Sequence, residues 1–353
     1  MTMEQIVFLT YISRSGSTFL ARLLNEYEGI AVSIEARMPD GILYESFEIR
    51  GPEDVEKGLE ILYSDGKFNA WNIDKQVLKK EICTLPFPIG YEQLLRTTLR
   101  LSSRNPSAKI LVYKNGFYIK HIEAVKTKFP EAKFIFILRD ARAIYNSRKA
   151  SLNSETLEPM ADNPIPVAKE YKQVSLIVDR YKDVDWLHVI KYEDLIRNTD
   201  SEIKRLLAFL GTGRKKNLID RDYVEKIPER EIHLHTNVKL GPLRKRIDAW
   251  RGELNNAEIM AIQRISGEML RRNGYELLHL EEVSLRDRIV YFGYWRAYYL
   301  SILRFIIELA IKRWRLKGSD FYEMSHAEAQ LKQFRNALRR KGKSIIKRLG
   351  ILS

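Results

Sequence analysis

One segment constrains this chain more than any other: an apolar strand that runs without a gap into a small-residue turn and then a helix. Ile6–Ile12 is an uninterrupted apolar run of strand length, Ser13-Arg14-Ser15-Gly16-Ser17-Thr18-Phe19 follows directly, and Ser17–Tyr27 carries apolar residues at helical spacing. Backbone N–H groups at such a turn converge, and the helix dipole adds partial positive charge there. The turn is therefore suited to a phosphate-like anion. Gly16 allows close approach of the ligand, Ser15, Ser17 and Thr18 offer hydroxyls, and Arg14 supplies a full charge. The nucleoside triphosphatase loop G-x-x-x-x-G-K-[ST] is absent, since no Gly-Lys pair occurs in the turn.

The rest of the first two-thirds fits the same architecture. Short apolar runs at Ile110–Tyr113, Phe134–Leu138 and Leu187–Ile190 alternate with amphipathic segments at Tyr91–Ser103, Tyr118–Phe129, Ala141–Ala150 and, further on, Ala257–Arg272. That alternation predicts an α/β fold, a P-loop-like three-layer sandwich on a central parallel sheet, with ligands at the carboxyl ends of the strands. Between about Glu48 and Pro88 the pattern assigns no element.

Charge divides the chain unevenly. The 353 residues carry a net +14, which favours polyanionic partners. Residues 290–353 hold fourteen Lys and Arg against four Asp and Glu, so +10 of that surplus sits in the last 64 residues. The expected organisation is a nearly balanced catalytic domain over residues 1–280 and a basic, aromatic-rich helical extension over 281–353. Within Tyr291–Ile311 three charges, Arg296, Arg304 and Glu308, interrupt the apolar run and argue against a membrane-spanning helix. The following cations, Lys332 to Arg348, suit an anionic membrane surface, or else the extension packs on protein. Aromatics are not interleaved with that charge run, so no nucleic-acid partner is expected.

Compartment follows from two features. Cys83 is the only cysteine, and the N-terminus has neither a basic leader region nor a small-residue cleavage site, so a reducing cytoplasm is the expected location.

A second motif gives the turn its context. In Phe134-Ile135-Phe136-Ile137-Leu138-Arg139-Asp140-Ala141-Arg142-Ala143-Ile144-Tyr145-Asn146-Ser147 a buried strand ends on Arg139, and Ser147 lies eight residues later, about two helical turns in. Together the two motifs resemble the 5′-phosphosulfate and 3′-phosphate sites of the sulfotransferases that use 3′-phosphoadenosine-5′-phosphosulfate (PAPS). Within that group they are closest to the carbohydrate and tyrosylprotein enzymes. Two further segments are similar to that family: Tyr192-Glu193-Asp194-Leu195, whose tyrosine lies at the nucleotide, and Leu240-Gly241-Pro242-Leu243 with Arg244-Lys245-Arg246 and Trp250, a basic loop closing over the cofactor. The resemblance covers roughly residues 4 to 278. It implies PAPS as donor co-substrate, with Arg14, Ser15, Gly16, Ser17, Thr18, Phe19, Arg139, Ser147, Tyr192 and Lys245 as its binding residues.

The same resemblance assigns the chemistry. Arg14 neutralises the leaving 5′-phosphate, and Lys114, at the end of a strand, is a second cation near the sulfuryl group. Phenol sulfotransferases carry their catalytic histidine two residues after the lysine that Lys114 resembles; here that residue is Gly116. Ser33-Ile34-Glu35-Ala36-Arg37 instead resembles the segment in which tyrosylprotein and glycan sulfotransferases carry a glutamate base. Glu35 is thus expected to take the acceptor's proton, with Arg37 beside it. The acceptor is a hydroxyl, expected on a glycan such as a surface polysaccharide or glycolipid.

No metal is implied: His121, His188, His233, His235, His279 and His326 show no H-x-x-x-H spacing, and no acidic cluster is set up for Mg²⁺. The alternatives are a nucleotide-binding protein or kinase on the same architecture, and a non-catalytic, membrane-associated adaptor that acts through the extension. The residues leave the oligomeric state open.

Overall fold

The computed structural model of the chain describes residues 4–35, 48–64, 68–103, 105, 107–153, 156–213, 244–279 and 283–315. In chain order the strands are β1 (Gln5–Tyr11), β2 (Ile30–Val32), β3 (Ile110–Lys114), β4 (Lys133–Leu138) and β5 (Leu187–Lys191). They form one sheet in the order β2-β3-β1-β4-β5, every neighbouring pair parallel. The apolar runs are unbroken because helices cover both faces: in β1 all residues after Gln5 are buried, and β3 is buried throughout.

The helices are α1 (Ser17–Asn25), α2 (Val55–Tyr63), α3 (Lys75–Cys83), α4 (Tyr91–Ser102), α5 (Ile122–Lys128), α6 (Ala141–Lys149), α7 (Pro164–Tyr181), α8 (Tyr192–Arg197), α9 (Thr199–Leu210), α10 (Lys245–Asp248), α11 (Trp250–Glu253), α12 (Asn256–Arg272) and α13 (Leu285–Arg315). The strands expected from the sequence are all present, as are the expected helices, with one change. Tyr118–Phe129 is not one helix: a 3-10 turn over Gly116–His121, capped by Asn115 Oδ1 accepting from Phe117 N at 2.9 Å, precedes α5. The stretch that sequence pattern left blank holds α2 and α3, which bury Leu59, Leu62, Leu78 and Ile82 in the common core.

This topology positions the site. From β1 the chain first builds outward on one side through β2 and β3, then crosses to β4 and β5 on the other. The crevice at the carboxyl ends of β1 and β4 is thus a topological switch point, where α/β sheets bind their ligands. Both sequence motifs emerge there.

The chain divides into two compact units, residues 1–288 and 289–353. Of the second, the described part belongs to α13, a 31-residue helix. It exposes Phe292, Tyr299, Leu300, Leu303, Phe305, Ile307 and Ile311. Among the described residues no helix is long and apolar enough to cross a membrane.

Candidate active site

The loop after β1 is built by two left-handed residues. Arg14 has φ +73° and Gly16 φ +92°, and Gly16 opens α1 as its N-cap without any side-chain cap. A side chain at the N-cap normally satisfies some of the first N–H groups of a helix; here that role is vacated, so the N–H groups face the crevice. Glycine at 16 has a second reason. A Cβ there would stand 2.4 Å from the Tyr192 ring, which lies across the loop. Ser15, Ser17 and Thr18 are all buried around the turn.

Arg139 arrives from the end of β4. Its Nη1 donates to Arg14 O at 2.7 Å and its Nη2 to Arg246 O at 3.1 Å, and its guanidinium stacks over the Tyr192 ring at 4.3 Å. Ser147, two turns along α6, accepts from Arg14 Nε at 3.2 Å, so the two motifs meet. Arg148 adds a fourth contact, Nε to Ser13 O at 3.3 Å, while its Nη1 pairs with Glu170 at 2.9 Å.

The electrostatics of this cluster are those of an anion site. Burial, reinforced by the charges of Arg139, Arg148 and Arg246, lowers the Arg14 pKa to about 10, so Arg14 stays charged at neutral pH and the like-charge crowding is one that a bound anion would relieve. Two buried polar atoms at the same place, Ser15 Oγ and Arg139 Nε, have no hydrogen-bond partner among the described residues. A buried donor without a partner costs roughly 1–3 kcal/mol. The residues present therefore fit a phosphate-bearing ligand that would satisfy both.

The other half of the crevice holds the acidic and basic pair. Lys114, 4 % exposed, ends β3 with its Nζ 3.7 Å from Glu35 Oε2. Glu35 is held at the sheet edge by its own segment: Ser33 N donates to Val112 O at 2.9 Å, Ser33 Oγ accepts from Lys114 N at 3.1 Å, and Trp71 Nε1 donates to Ile34 O at 3.2 Å. Tyr11, the last residue of β1, donates its hydroxyl to Glu35 Oε2 at 2.6 Å.

Some expected residues fall differently. Phe19 belongs to the apolar core, its ring flanked by Arg22 at 5.5 Å, and so anchors α1. In the basic run the Arg246 carbonyl holds Arg139 and its charge reaches Arg14 and Tyr192, while Lys245 and Arg246 are both exposed. Arg37, Leu240–Leu243, His233 and His235 lie outside the described residues. Arg148 and Tyr11 were not singled out from the sequence; Arg148 adjoins Ser147 in the quoted motif, but one position along a helix turns a side chain by about 100° and only the fold decides which one meets the loop.

Behind the crevice, Glu193 acts as a strut. Its Oε1 accepts from Asp140 N at 3.2 Å and its Oε2 from Tyr275 Oη at 2.8 Å, tying the end of β4 to the chain after α12. Burial pushes its carboxyl above the usual range. Arg142, 1 % exposed, pairs with Asp140 at 2.6 Å and lies over Trp250 at 4.0 Å. Among the described residues no group of three or more His, Cys, Asp or Glu is arranged to hold a metal ion.

Comparison with known proteins decides the family. A sequence model of the Sulfotransferase family matches residues 7–215. The chain belongs to that family. Two curated relatives in the sulfotransferase family are similar. One is the omega-hydroxy-beta-dihydromenaquinone-9 sulfotransferase Stf3 of Mycobacterium tuberculosis, 29% identical over 30% of this chain and 29% of that protein. The other is protein-tyrosine sulfotransferase A of Caenorhabditis elegans, 23% identical over 76% of this chain and 67% of that protein. The chain thus matches under a third of the length of the Stf3 relative. Among solved structures, the sulfotransferase domain from the curacin biosynthetic pathway shares the fold. It superposes with a TM-score of 0.50 at 15% identity, covering 78% of this chain and 99% of that domain.

Proposed function

We propose that this sulfotransferase-family chain transfers a sulfuryl group from PAPS to an acceptor hydroxyl. The observation that carries this reading is the cluster of Arg14, Arg139, Arg148 and Arg246 around a loop whose buried Ser15 Oγ, with Arg139 Nε, has no partner among the described residues. The loop and Arg14 hold the 5′-phosphosulfate; Arg139 and Ser147 hold the 3′-phosphate. In the transfer, the acceptor oxygen forms a new bond to sulfur as the bond from sulfur to the 5′-phosphate oxygen breaks. The bonding pair departs with 3′,5′-adenosine bisphosphate (PAP). Lys114 and Arg14 stabilise the charge shifting onto that leaving oxygen, and Glu35 takes the acceptor's proton.

A hydroxyl on a carbohydrate is the proposed acceptor. Support comes from Glu35, paired with Lys114, and from Gly116 standing where phenol sulfotransferases place a histidine. The relatives' own acceptors, named as a menaquinone-derived alcohol and protein tyrosine, make a lipid-borne alcohol or a tyrosine the competing choices. We further propose a cytoplasmic protein whose α13 rests on the inner face of the membrane, a reading supported by its exposed aromatic and aliphatic residues and by the net +10 of residues 290–353.

Calorimetry with PAP, 5′-AMP as control, on wild type and Arg139→Ala tests the cofactor. Binding that depends on the 3′-phosphate and weakens at least ~30-fold in the variant is expected, because truncating one partner of a buried charged contact costs about 2 kcal/mol or more. Equal affinity of PAP and 5′-AMP in both proteins refutes the PAPS assignment.

A further inference from the structure

Tyr11 has no role in the family pattern described above, yet its hydroxyl donates to Glu35 Oε2 at 2.6 Å, well inside the 3.7 Å of the Lys114 ion pair. We propose that Tyr11 is a positioning residue, whose hydroxyl fixes the orientation of the Glu35 carboxylate and favours its ionised form. This rests on the reading of Glu35 as the base.

The geometry is restrictive. At 6 % exposure Tyr11 is part of the core, and its backbone is locked in the parallel pairing of β1 with β4 opposite Ile137. Its ring is confined by two neighbours. The Lys114 ammonium lies 5.3 Å from its centre, and Gly116 also abuts it, since a Cβ there would stand 3.3 Å from the ring and 2.6 Å from the Tyr11 carbonyl oxygen. A ring held in this way delivers its hydroxyl to Glu35 Oε2. The 2.6 Å separation falls in the range of hydroxyl bonds to an ionised carboxylate, about 2.5–2.7 Å. Lys114 Nζ approaches the same oxygen at 3.7 Å. One hydroxyl donor and one ammonium charge converge on Oε2, and both stabilise the charged form.

Gly116 then acquires a reason. With glycine at this position the histidine solution is sterically closed, because any side chain would collide with the Tyr11 carbonyl. The same absence of a side chain is what lets the Tyr11 ring stand where it reaches Glu35. Tyr11 and Gly116 are two halves of one arrangement, in which a tyrosine-held glutamate occupies the place of a histidine.

The test uses the full-length chain loaded with PAP and carrying glutamate labelled with ¹³C at the carboxyl carbon. The Glu35 resonance is assigned by its loss in Glu35→Gln, and its titration is followed in wild type and Tyr11→Phe, a change that keeps the ring. Glu35 is expected to titrate at higher pH in Tyr11→Phe, and sulfate release from PAPS with water as acceptor to fall about tenfold, the worth of one hydrogen bond to a charged group, while PAP affinity stays within about twofold. An unchanged Glu35 titration in a folded Tyr11→Phe protein overturns the inference, even if Glu35→Gln is inactive. A Glu35→Gln protein that releases sulfate at the wild-type rate overturns the base assignment, and the inference with it. Failure of wild type to bind PAP is a different result, and refutes the cofactor assignment alone.

Discussion

Replacing Gly16 with alanine would put a Cβ where Tyr192 already is. The built position lies 2.4 Å from Tyr192 Cδ2 and 2.6 Å from Cε2, and the ring, 8 % exposed, has no room to retreat without disturbing Arg139, stacked on its face at 4.3 Å. Two costs arise. Holding a non-glycine residue at φ +92° costs about 1–2 kcal/mol whether or not ligand is bound, and appears as lost stability. Displacing Tyr192 forfeits a desolvated cation–π contact of about 1–2 kcal/mol and releases Arg139 from its orientation, which appears in nucleotide affinity. The expected result for Gly16→Ala is a Tm lowered by about 1–3 °C and a PAP affinity reduced about 5- to 30-fold. Scanning calorimetry and titration calorimetry with PAP read the two separately. The double variant Gly16→Ala/Tyr192→Ala removes the collision but not the φ strain, so its losses are expected to fall short of the sum of the single variants by about 1–2 kcal/mol. Strict additivity, or wild-type Tm and PAP affinity in Gly16→Ala, refutes the claim that Tyr192 and the loop are locked together.

Gly116→His is expected to lower Tm and abolish sulfate release without producing a phenol-type enzyme, since its Cβ meets the Tyr11 carbonyl at 2.6 Å; a folded variant with wild-type Tm refutes the steric argument. Burial lowers the His121 pKa from 6.5 to about 4. Its folded value lies below its unfolded one, so the stability it contributes is present above pH 6.5 and is lost as pH falls toward 4. In His121→Phe, which keeps the ring against Phe117, the acid side of the stability–pH curve is expected to flatten over that window; an unchanged curve from urea titrations between pH 4 and 7 refutes it. Leu303→Glu with Ile307→Glu, both on the exposed side of α13, is expected to cut sedimentation of the full chain with anionic liposomes at least ~10-fold while leaving PAP binding intact. Equal recovery in the pellet with and without the charges refutes the membrane reading.

The sequence by itself determined the α/β class, the anion loop and the pairing of that loop with Arg139 and Ser147. The first two were legible because they depend on local order, a strand length and a glycine that a turn needs; the pairing with Arg139 and Ser147, more than 120 residues away, was legible through the family resemblance. Lys114 and Glu35 were legible only through resemblance, since about eighty residues separate them and nothing in the pattern joins the ends of β2 and β3. Other features were settled by tertiary structure alone. Arg148 joined the cluster because helix orientation, not residue type, decides which of two adjacent cations, Arg148 or Lys149, turns to the loop, and Arg246 because its carbonyl meets Arg139. Gly16 gained its strictest requirement from Tyr192, 176 positions away, and Gly116 from the backbone of β1. Tyr11 reads in the sequence as one more apolar strand residue, and its role emerges only when parallel pairing brings the ends of β1 and β3 and the segment after β2 to one edge of the sheet. Local chemistry can be read from neighbours along the chain; the partners of a catalytic group are neighbours in space, and the packing of the core selects them.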